Sequence, residues 1–390
     1  MILMELISST CITASDHVYF YRSYGVQLNT SDNSTKWRFR IHAHAYDNRA
    51  VHKRSWNPFT AVARPFKEVG EIGSSFGVLT DALTNDPLPD KSINLKILDQ
   101  FAYGNGFLLF KLLHSKCLEY DTPNGDCLDP NNYEIALPKT NDIGHTSVLV
   151  SLKNDIKDNG KIIYGLVGDA CSIGESYLIK PKGISVITDM DDTIRDSDVL
   201  CKTCFIKNTF GNVPYKPVKG MPELFQKYNN EFEFPAFHYV SGVPWQFNSL
   251  YDQFLSDYNF PEGPSSYQDL KFTIKSFKKF MDVELFKFTT ISNIIRDFPN
   301  RKFILLGDSG QADPESYAKV FKLFPNSILC LWIRRVNSKG KLVGNIATRL
   351  ANKDSRFQHT FKDIPIEKYF IFNDIREINT LDVANGQCRP

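Results

Sequence analysis

The chain has 390 residues, which is enough for two or three domains rather than a single core. Hydrophobic residues make up 42% of the sequence, charged residues make up 23%, and the formal net charge is only +2. This balance excludes a general electrostatic attraction to nucleic acid or to an anionic membrane, so any such attraction must come from a local patch. We therefore expect no nucleic-acid partner.

The N-terminal segment from Met1 to Ala14 has two interpretations. Its weakly apolar sequence is compatible with the remnant of a secretory signal, whereas the missing basic start and the charge of Glu5 favour an ordered or frayed arm. Two glycosylation-type sequons, at Asn29 and Asn33, share one polar loop and leave the compartment open. No run approaches the ~20 apolar residues that cross a bilayer. We favour a cytoplasmic, peripherally membrane-associated protein over one of the secretory pathway.

Residues 1–178 are predicted to form a β-rich, sandwich-like domain. From Trp37 to Ala45, apolar residues alternate with basic ones, which is the pattern of a half-buried strand. Turn-forming clusters separate further runs of strand-forming residues. An irregular or helical insert is expected near residues 50–85. The other predicted strands are His17–Leu28, Phe107–Leu113, Ser147–Leu152 and Lys161–Val167.

The pattern changes at Pro181, where apolar β-runs begin to alternate with helical periodicity. Such alternation predicts an α/β domain, which we place at residues 179–345. The spacing of five apolar residues between Phe288 and Phe298 predicts a helix with one face on the sheet. Residues 346–390 are interpreted as a C-terminal extension packed on this domain, without an amphipathic membrane helix. The predicted strands are Ile184–Thr188, Phe237–Val240, Phe303–Leu306 and Ile328–Trp332.

Two carboxylates follow the first of these strands directly. Asp189 and Asp191 are two residues apart, so both can point into the crevice at the carboxyl end of the sheet, where α/β proteins bind ligands. One carboxylate can attack phosphorus and form an aspartyl-phosphate. The other can protonate the leaving oxygen and later activate water. Thr193 can hold the loop and orient Asp191.

Polar residues also follow the later strands. Ser241 ends the second run and can donate to a phosphate oxygen, and Lys287 can balance the charge of a nucleophile and a phosphate. Asp308 and Asp313 lie in a glycine-containing loop after the third run. Magnesium prefers hard oxygen ligands and keeps several waters, so one or two acids opposite Asp189 would hold it.

Taken singly, these residues have ordinary structural explanations. Ser241 alone would be a strand-end cap, and Lys287 alone is equally compatible with a solvated helix position. Acidic turns after strands are common, but Asp-x-Asp-Asp-Thr after five strand-forming residues is a specific signal. The order strand-Asp, strand-Ser, Lys, strand-Asp favours phosphoryl-transfer chemistry over a set of structural coincidences.

This order resembles that of the haloacid-dehalogenase superfamily of phosphatases. More narrowly, the region 182–335 is similar to the catalytic domain of the fungal actin-patch-associated phosphatidate phosphatases. The resemblance implies a Rossmannoid α/β domain with a minimal cap, preceded by a β-rich domain that it covers only loosely. The matching stretches are Gly183–Ile194, His238–Gln246 and Phe298–Glu315.

The resemblance also implies roles for the acidic residues. Asp189 would be the nucleophile and Asp191 the general acid and base, with Thr193 in the same motif. A magnesium ion would be held by Asp189, the Asp191 carbonyl and Asp308, with Asp313 behind these ligands.

Phosphate would be bound by Ser241, Gly242 and Lys287. The chain departs from the family pattern at two nearby positions: Val243 replaces a second serine, and Phe286 precedes Lys287 where the family has histidine. Neither departure removes a residue that the core chemistry needs, but both bear on substrate contacts.

The substrate implied by the resemblance is a phosphatidate-type lipid at a membrane surface, hydrolysed to diacylglycerol and phosphate. The short intervals between Thr193, Ser241 and Lys287 leave no room for a large cap, which suits a phosphate carried on a large body. Cytoskeletal or endocytic protein partners are also implied by the resemblance. The alternatives are a phosphatase for soluble phosphomonoesters or a phosphoprotein, and a non-catalytic binding module.

Cysteines and histidines offer two further clusters. Cys201 and Cys204 lack a second pair at zinc spacing, which favours a local bridge or two thiols over a metal site. Cys117 and Cys127 flank a turn and would bridge a hairpin in an oxidising compartment.

The alternating strand brings His42 and His44 onto one face with Arg38 and Arg40. Because cationic neighbours repel a bound cation, we interpret this face as a solvated basic stripe rather than a metal site. Such a stripe would help to hold an anionic surface.

Overall fold

The computed structural model describes residues 16–29, 35–47, 86–100, 110–112, 118–120, 134–153, 160–166, 172–201, 204–205, 208–209, 215–268, 282–337 and 342–390. The described residues divide into two compact units, and the chain passes from one to the other between Lys180 and Pro181. Several expectations lie outside the described residues: the segment Met1 to Ala14, the insert near residues 50–85, the Cys117–Cys127 bridge and most of the two sequons.

The first unit is a β-sheet of eleven described strands in the order β6-β5-β10-β11-β2-β3-β9-β7, with β1 and β4 also paired to β3 and β8 to β5. All described pairs are antiparallel except β2 with β11. The β-rich prediction is confirmed. The strands are β1 (Asp16–Phe20), β2 (Ser23–Asn29), β3 (Thr35–Asp47), β4 (Asp86–Pro87), β5 (Asn94–Gln100), β6 (Phe110–Leu112), β7 (Leu118–Tyr120), β8 (Glu134–Ala136), β9 (His145–Lys153), β10 (Lys161–Leu166) and β11 (Ile173–Ile179).

Alternation along β3 produces the core of this unit. Trp37, Phe39 and Ile41 are buried, whereas Arg38 and Arg40 between them are exposed. Burying each large apolar side chain contributes about 1.5–3 kcal/mol to stability. The register of β3 with β2 and β9 is therefore fixed, because a shift by one residue would exchange the buried and exposed sets.

The basic-stripe prediction is wrong for its two histidines. His44 is buried and its Nδ1 lies 2.8 Å from the hydroxyl of Tyr21, and His42 Nδ1 lies 3.3 Å from His145 Nε2. Burial, together with the neighbouring His145, lowers the pKa of His42 to about 3 and that of His44 well below its ordinary value. Both rings are neutral at pH 7, so of the four residues of the predicted stripe only Arg38 and Arg40 carry charge.

The second unit is built on a parallel six-stranded sheet with the order β14-β13-β12-β15-β16-β17. The chain runs outward from β12 to β14, returns to β15 beside β12, and then runs outward the other way. The chain thus adds strands on one side of β12 and then on the other, so the strand order reverses between β12 and β15. Parallel α/β sheets bind their ligands at such a point. The strands are β12 (Ile184–Thr188), β13 (Ala236–Pro244), β14 (Ser265–Gln268), β15 (Lys302–Asp308), β16 (Ile328–Arg334) and β17 (Tyr369–Phe372).

Amphipathic helices pack against this sheet. The helix predicted around Phe288 is α3, and Ile291, Ile294 and Ile295 form its buried face. A proline in the first turn opens both α1 and α4, where its missing N–H costs no helical hydrogen bond. The helices are α1 (Met221–Glu231), α2 (Asn248–Asp257), α3 (Val283–Asp297), α4 (Asp313–Leu323), α5 (Leu342–Ala351) and α6 (Asp354–Thr360).

The C-terminal residues join the same unit. Strand β17 pairs in parallel with β16, and a disulfide joins Cys330 of β16 to Cys388. The indole of Trp332 donates to the Cys388 carbonyl at 2.7 Å. A second disulfide joins Cys201 and Cys204, the local bridge that the sequence allowed. None of the helices in the described part of the chain combines the length and the apolar character needed to cross a bilayer.

Arg301 links the start of β12 to the segment before β13. Its guanidinium is buried and donates to Ser185 Oγ at 2.8 Å and to the carbonyls of Lys182, Ile184 and Phe234 at 2.6–2.8 Å. The arginine thus satisfies one buried hydroxyl and three backbone carbonyls with a single side chain.

Replacing Arg301 by Met should therefore lower the free energy of unfolding by about 3 kcal/mol, because Ser185 Oγ and three backbone carbonyls would lose their donor. Urea unfolding of the purified chain measures this loss. The matched control is Arg296→Met, since Arg296 is an exposed arginine that bonds to Asn293 and lies over Phe324. A loss no larger than that of the control would show that Arg301 is not a structural link.

Candidate active site

The ends of β12 and β15 bring the predicted acids together. The two strands are neighbours, with Thr188 paired to Leu306, and the Asp189 N–H donates to the Leu306 carbonyl at 2.9 Å. Asp189 is the first residue after β12, and Asp308 is the last residue of β15. Both side chains lie at the carboxyl edge of the sheet, as predicted from the strand ends.

Three carboxylates form a buried cluster at this edge. Asp189, Asp308 and Asp313 each offer an oxygen within 4.8 Å of the others, and all three side chains are buried. Asp313 therefore lies among the acids themselves, whereas the sequence placed it behind them. Three oxygen donors this close together are the kind of set that holds a hard divalent cation.

Lys287 is the cation that faces this cluster. Its Nζ lies 2.7 Å from Asp189 Oδ1 and also bonds Asp313 Oδ1. Lys287 lies among the buried residues of helix α3 and is fully buried. The alternative of a solvated helix position for Lys287 is therefore wrong. Although burial alone would lower the pKa of Lys287, the carboxylates of Asp189 and Asp313 raise it above its usual value.

One lysine does not neutralise three carboxylates. Burial raises the pKa of Asp189 to about 7, with Asp313 and Asp191 adding to the rise and Lys287 opposing it. Burial and the neighbouring Asp313 and Asp189 raise the pKa of Asp308 well above its usual range. The cluster therefore lacks positive charge, which is the electrostatic condition under which a divalent cation binds.

The loop after β15 is shaped to hold Asp308 and Asp313. The N–H groups of Gly310 and Gln311 donate to Asp308 Oδ1 at 2.6 and 3.2 Å, and the Asp308 N–H donates to Asp313 Oδ2 at 3.0 Å. A Cβ on Gly307 would lie 2.7 Å from the Asp313 side chain, so only glycine permits this close approach.

Thr193 connects the two strands. Its hydroxyl lies 3.3 Å from Asp189 Oδ2 and 3.4 Å from Asp308 Oδ2, so it can donate to either carboxylate. The side chain is fully buried, and it orients the acids of the cluster rather than Asp191.

Asp191 belongs to a second group of contacts. Its Oδ1 accepts from Arg195 Nε and Nη2 at 2.9 and 2.6 Å. Its Oδ2 accepts from the hydroxyl of Tyr251 at 2.7 Å and from that of Ser241 at 3.4 Å. Ser241 is thus beside the acidic motif, as predicted. Gly242 follows it, and a Cβ there would lie 2.9 Å from Val283, the first residue of α3.

Arg195 and Tyr251 were not among the residues predicted from sequence. Arg195 is fully buried, and its guanidinium lies over the rings of Tyr215 and Tyr251 at 4.1 and 5.2 Å. Its spacing of four residues from Asp191 was a usable signal for an ion pair. No local signal marks Tyr251, which reaches Asp191 from α2.

The third acid of the motif, Asp192, shapes the loop. Its backbone has a φ of 54°, and its carboxylate accepts from the N–H groups of Ser197, Asp198 and Val199 at 2.7–2.9 Å. Arg334 donates to the Asp192 carbonyl at 2.5 Å. These contacts explain why an aspartate follows Asp191, since a short acceptor that tolerates positive φ is needed here.

Comparison with known proteins finds a family match for the segment that carries this geometry. Residues 184–335 match the family described as phosphatidate phosphatase APP1, catalytic domain. The matched segment begins at β12 and ends one residue after β16, so it contains every residue of the site described above.

Two yeast proteins are similar to the same part of the chain. Phosphatidate phosphatase APP1 of Saccharomyces cerevisiae is 35% identical over 173 residues, which are 43% of this chain and 29% of that protein. Uncharacterized protein C29B5.04c of Schizosaccharomyces pombe is 28% identical over 173 residues, covering 43% of this chain and 27% of that protein. The chain therefore spans less than a third of the length of either relative.

Among solved structures, a 2,6-sialyltransferase of Photobacterium sp. JT-ISH-224 in complex with CMP and lactose aligns with 76% of this chain and 56% of its own. The sequence identity is 10% and the TM-score is 0.23.

Proposed function

We propose that this chain is a magnesium-dependent phosphatidate phosphatase that hydrolyses phosphatidate to diacylglycerol and phosphate. The observation that carries the proposal is the buried cluster of Asp189, Asp308 and Asp313 around Lys287, within a segment of the APP1 catalytic-domain family. We also propose that residues 179–345, with the extension 346–390, form a haloacid-dehalogenase-like Rossmannoid domain with a minimal cap. The parallel sheet and its strand order support this assignment.

The donor set of the cluster fits magnesium. Asp189 and Asp308 would hold the ion together with the Asp191 carbonyl, and Asp313 lies close enough to contribute an oxygen. The set contains only oxygen donors, is buried, and carries more negative charge than Lys287 can balance. When bound, magnesium would neutralise charge on the phosphate oxygens and so favour attack by a carboxylate.

Asp189 is the proposed nucleophile. Its carboxylate would attack phosphorus and form an aspartyl-phosphate, with Lys287 at 2.7 Å balancing charge on the carboxylate and the incoming phosphate. Ser241 and the Gly242 backbone would bind the remaining phosphate oxygens. Burial of the site excludes bulk water and strengthens each of these interactions.

Asp191 is the proposed general acid and base. It would give its proton to the leaving oxygen in the first step and take a proton from water in the second. Arg195 and Tyr251 donate to different oxygens of this carboxyl group, so together they fix its direction. Both therefore act as positioning residues for Asp191.

Tyr251→Phe tests this positioning. The ring still fills its buried site, but the hydrogen bond to Asp191 Oδ2 is lost, so we expect kcat to fall roughly ten- to a hundredfold with KM little changed. Steady-state kinetics on a small chromogenic phosphate measure the change. The control is Tyr258→Phe, which alters a partly exposed tyrosine just after the same helix. Equal kinetics for the wild type and Tyr251→Phe would remove Tyr251 from the mechanism.

The alternative substrate class is soluble phosphomonoesters or a phosphoprotein, and the phosphate site by itself suits both. The deciding experiment compares phosphate release from phosphatidate in mixed micelles with release from glycerol 3-phosphate. We expect a higher kcat/KM on phosphatidate, because the APP1-type relative is named for that substrate. Equal efficiency on both would replace the lipid proposal with a soluble-phosphoester phosphatase.

We further propose a peripheral attachment to membranes that contain the substrate. The exposed side chains of Arg38 and Arg40 would add attraction to an anionic surface, each contributing about 1 kcal/mol near charged lipid. Cytoskeletal or endocytic protein partners remain part of the proposal.

A further inference from the structure

We infer that one face of helix α5 is a docking surface for anionic lipid membranes. The face consists of Ile346, Arg349, Leu350 and the following Lys353, which we call the α5 stripe. Ile346 and Leu350 are 55% and 64% exposed, although both are large aliphatic residues, and Arg349 and Lys353 are exposed beside them. Positions 346, 349 and 350 are spaced by three and four residues, so they share one side of the helix.

The opposite side of α5 is attached to the protein. Ala351 is 8% exposed, and the next residue, Asn352, accepts from the Ser309 hydroxyl at 2.7 Å and donates to the Val336 carbonyl at 2.8 Å. The helix therefore has a buried side and an exposed apolar side. The sequence alone predicted no amphipathic membrane helix in this region, so the proposed docking surface departs from that expectation.

These contacts tie the end of α5 to the acid cluster. Ser309 follows Asp308 directly, and Arg356 donates to the carbonyls of both Ser309 and Gln311 at 2.6 and 2.8 Å. The same loop donates its Gly310 N–H to the Asp308 carboxylate. The C-terminal end of α5 is thus anchored at the carboxyl edge of the sheet, where the proposed phosphate site lies.

The composition of the stripe matches an anionic lipid surface. Aliphatic side chains next to cationic ones bind the interface between acyl chains and anionic head groups. Asp354, the acid that follows Lys353 in sequence, is paired with Arg335 at 2.6 Å, so it does not cancel the charges of Arg349 and Lys353. This inference rests on the proposed function: if the substrate is a lipid, the edge of the sheet that carries the active site must face a membrane.

Vesicle binding by the full chain tests the stripe without any need for catalysis. The probes are phosphatidylcholine vesicles with and without phosphatidylglycerol, which is anionic but is not phosphatidate. The double variant Ile346→Ser with Leu350→Ser removes the apolar part, and Arg349→Gln with Lys353→Gln removes the charge. The control is Leu323→Ser, because Leu323 is 49% exposed at the end of α4, on the opposite edge of the sheet.

We expect the double serine variant to bind the anionic vesicles roughly tenfold or more weakly, because two half-exposed aliphatic side chains no longer enter the lipid. The double glutamine variant should lose affinity only for vesicles with phosphatidylglycerol, and Leu323→Ser should bind like the wild type. Hydrolysis of a small chromogenic phosphate should be unchanged in all three.

Wild-type binding by the serine variant, or an equal loss in Leu323→Ser, would overturn the docking surface. A wild-type chain that fails to bind either vesicle would overturn it as well. Vesicle binding through the stripe without phosphate release from phosphatidate would support the docking surface and overturn the proposed function instead.

Discussion

Replacing Asp189 by Asn should reduce phosphatase turnover by on the order of 10⁴-fold or more and leave the fold intact. The amide has the shape of the carboxyl group but cannot attack phosphorus to form an acyl-phosphate. The fold should tolerate the change because it removes one charge from a buried cluster in which three acids face one lysine. Lys287 retains its ion pair with Asp313.

Phosphate release and thermal unfolding should be measured on the same preparations. Asp257→Asn is the control, since Asp257 is an exposed acid at the end of α2. Beryllium fluoride, which mimics a phosphoryl group on a carboxylate, should inhibit the wild type and should not bind the Asp189→Asn protein. Substantial turnover by the variant would exclude Asp189 as the nucleophile, and a collapsed melting temperature would assign it a structural role.

The second large effect concerns metal. Chelation should abolish phosphate release, and Asp308→Asn should remove the stabilisation that magnesium gives to the wild type. In the metal-free state the same variant should be more stable than the wild type, because it relieves repulsion within the cluster. Magnesium binds only the folded site, so it should raise the melting temperature of the wild type by several degrees at saturation.

The pH dependence of the free energy of unfolding is an independent test of the charges in the acid cluster. The pKa of Asp189 is about 7 in the fold, raised first by burial, whereas an unfolded aspartate titrates near 4. Between these values the folded chain binds the proton that the unfolded chain releases. The free energy of unfolding of the metal-free protein should therefore fall as the pH rises from about 4 to 7.

Magnesium should flatten this fall, because the ion favours the ionised carboxylates. Differential scanning calorimetry of metal-free and magnesium-loaded protein across this range measures both effects. The control is Asp363→Asn, which removes an exposed acid that pairs with Lys322 on α4. A metal-free wild type and an Asp308→Asn variant with the same melting temperature, and with the same response to magnesium, would exclude Asp308 as a ligand.

The sequence by itself determined the elements whose information is local. Alternation in β3 predicted which side chains are buried from Trp37 to Ile41, since successive residues of a strand face opposite sides. The apolar runs ending in Asp189, Ser241 and Asp308 predicted three strands of one parallel sheet. Parallel strands present their carboxyl ends at a common edge, so the order of these residues was enough to place them together.

Only the tertiary structure decided which charges meet. Asp313 enters the acid cluster because Gly307 allows a close approach of α4 to β15, and Tyr251 reaches Asp191 across 60 positions of sequence. His44 was predicted to be part of a basic stripe, but it is buried beside the Tyr21 hydroxyl. Burial lowers the pKa of His44, so the ring is neutral.

The exposed side of α5 is a case of the same kind. Periodicity can show that a helix has an apolar stripe, but it does not tell whether another element covers it. Burial, pairing and charge depend on which segments pack together in space, and that depends on contacts between residues far apart in the chain.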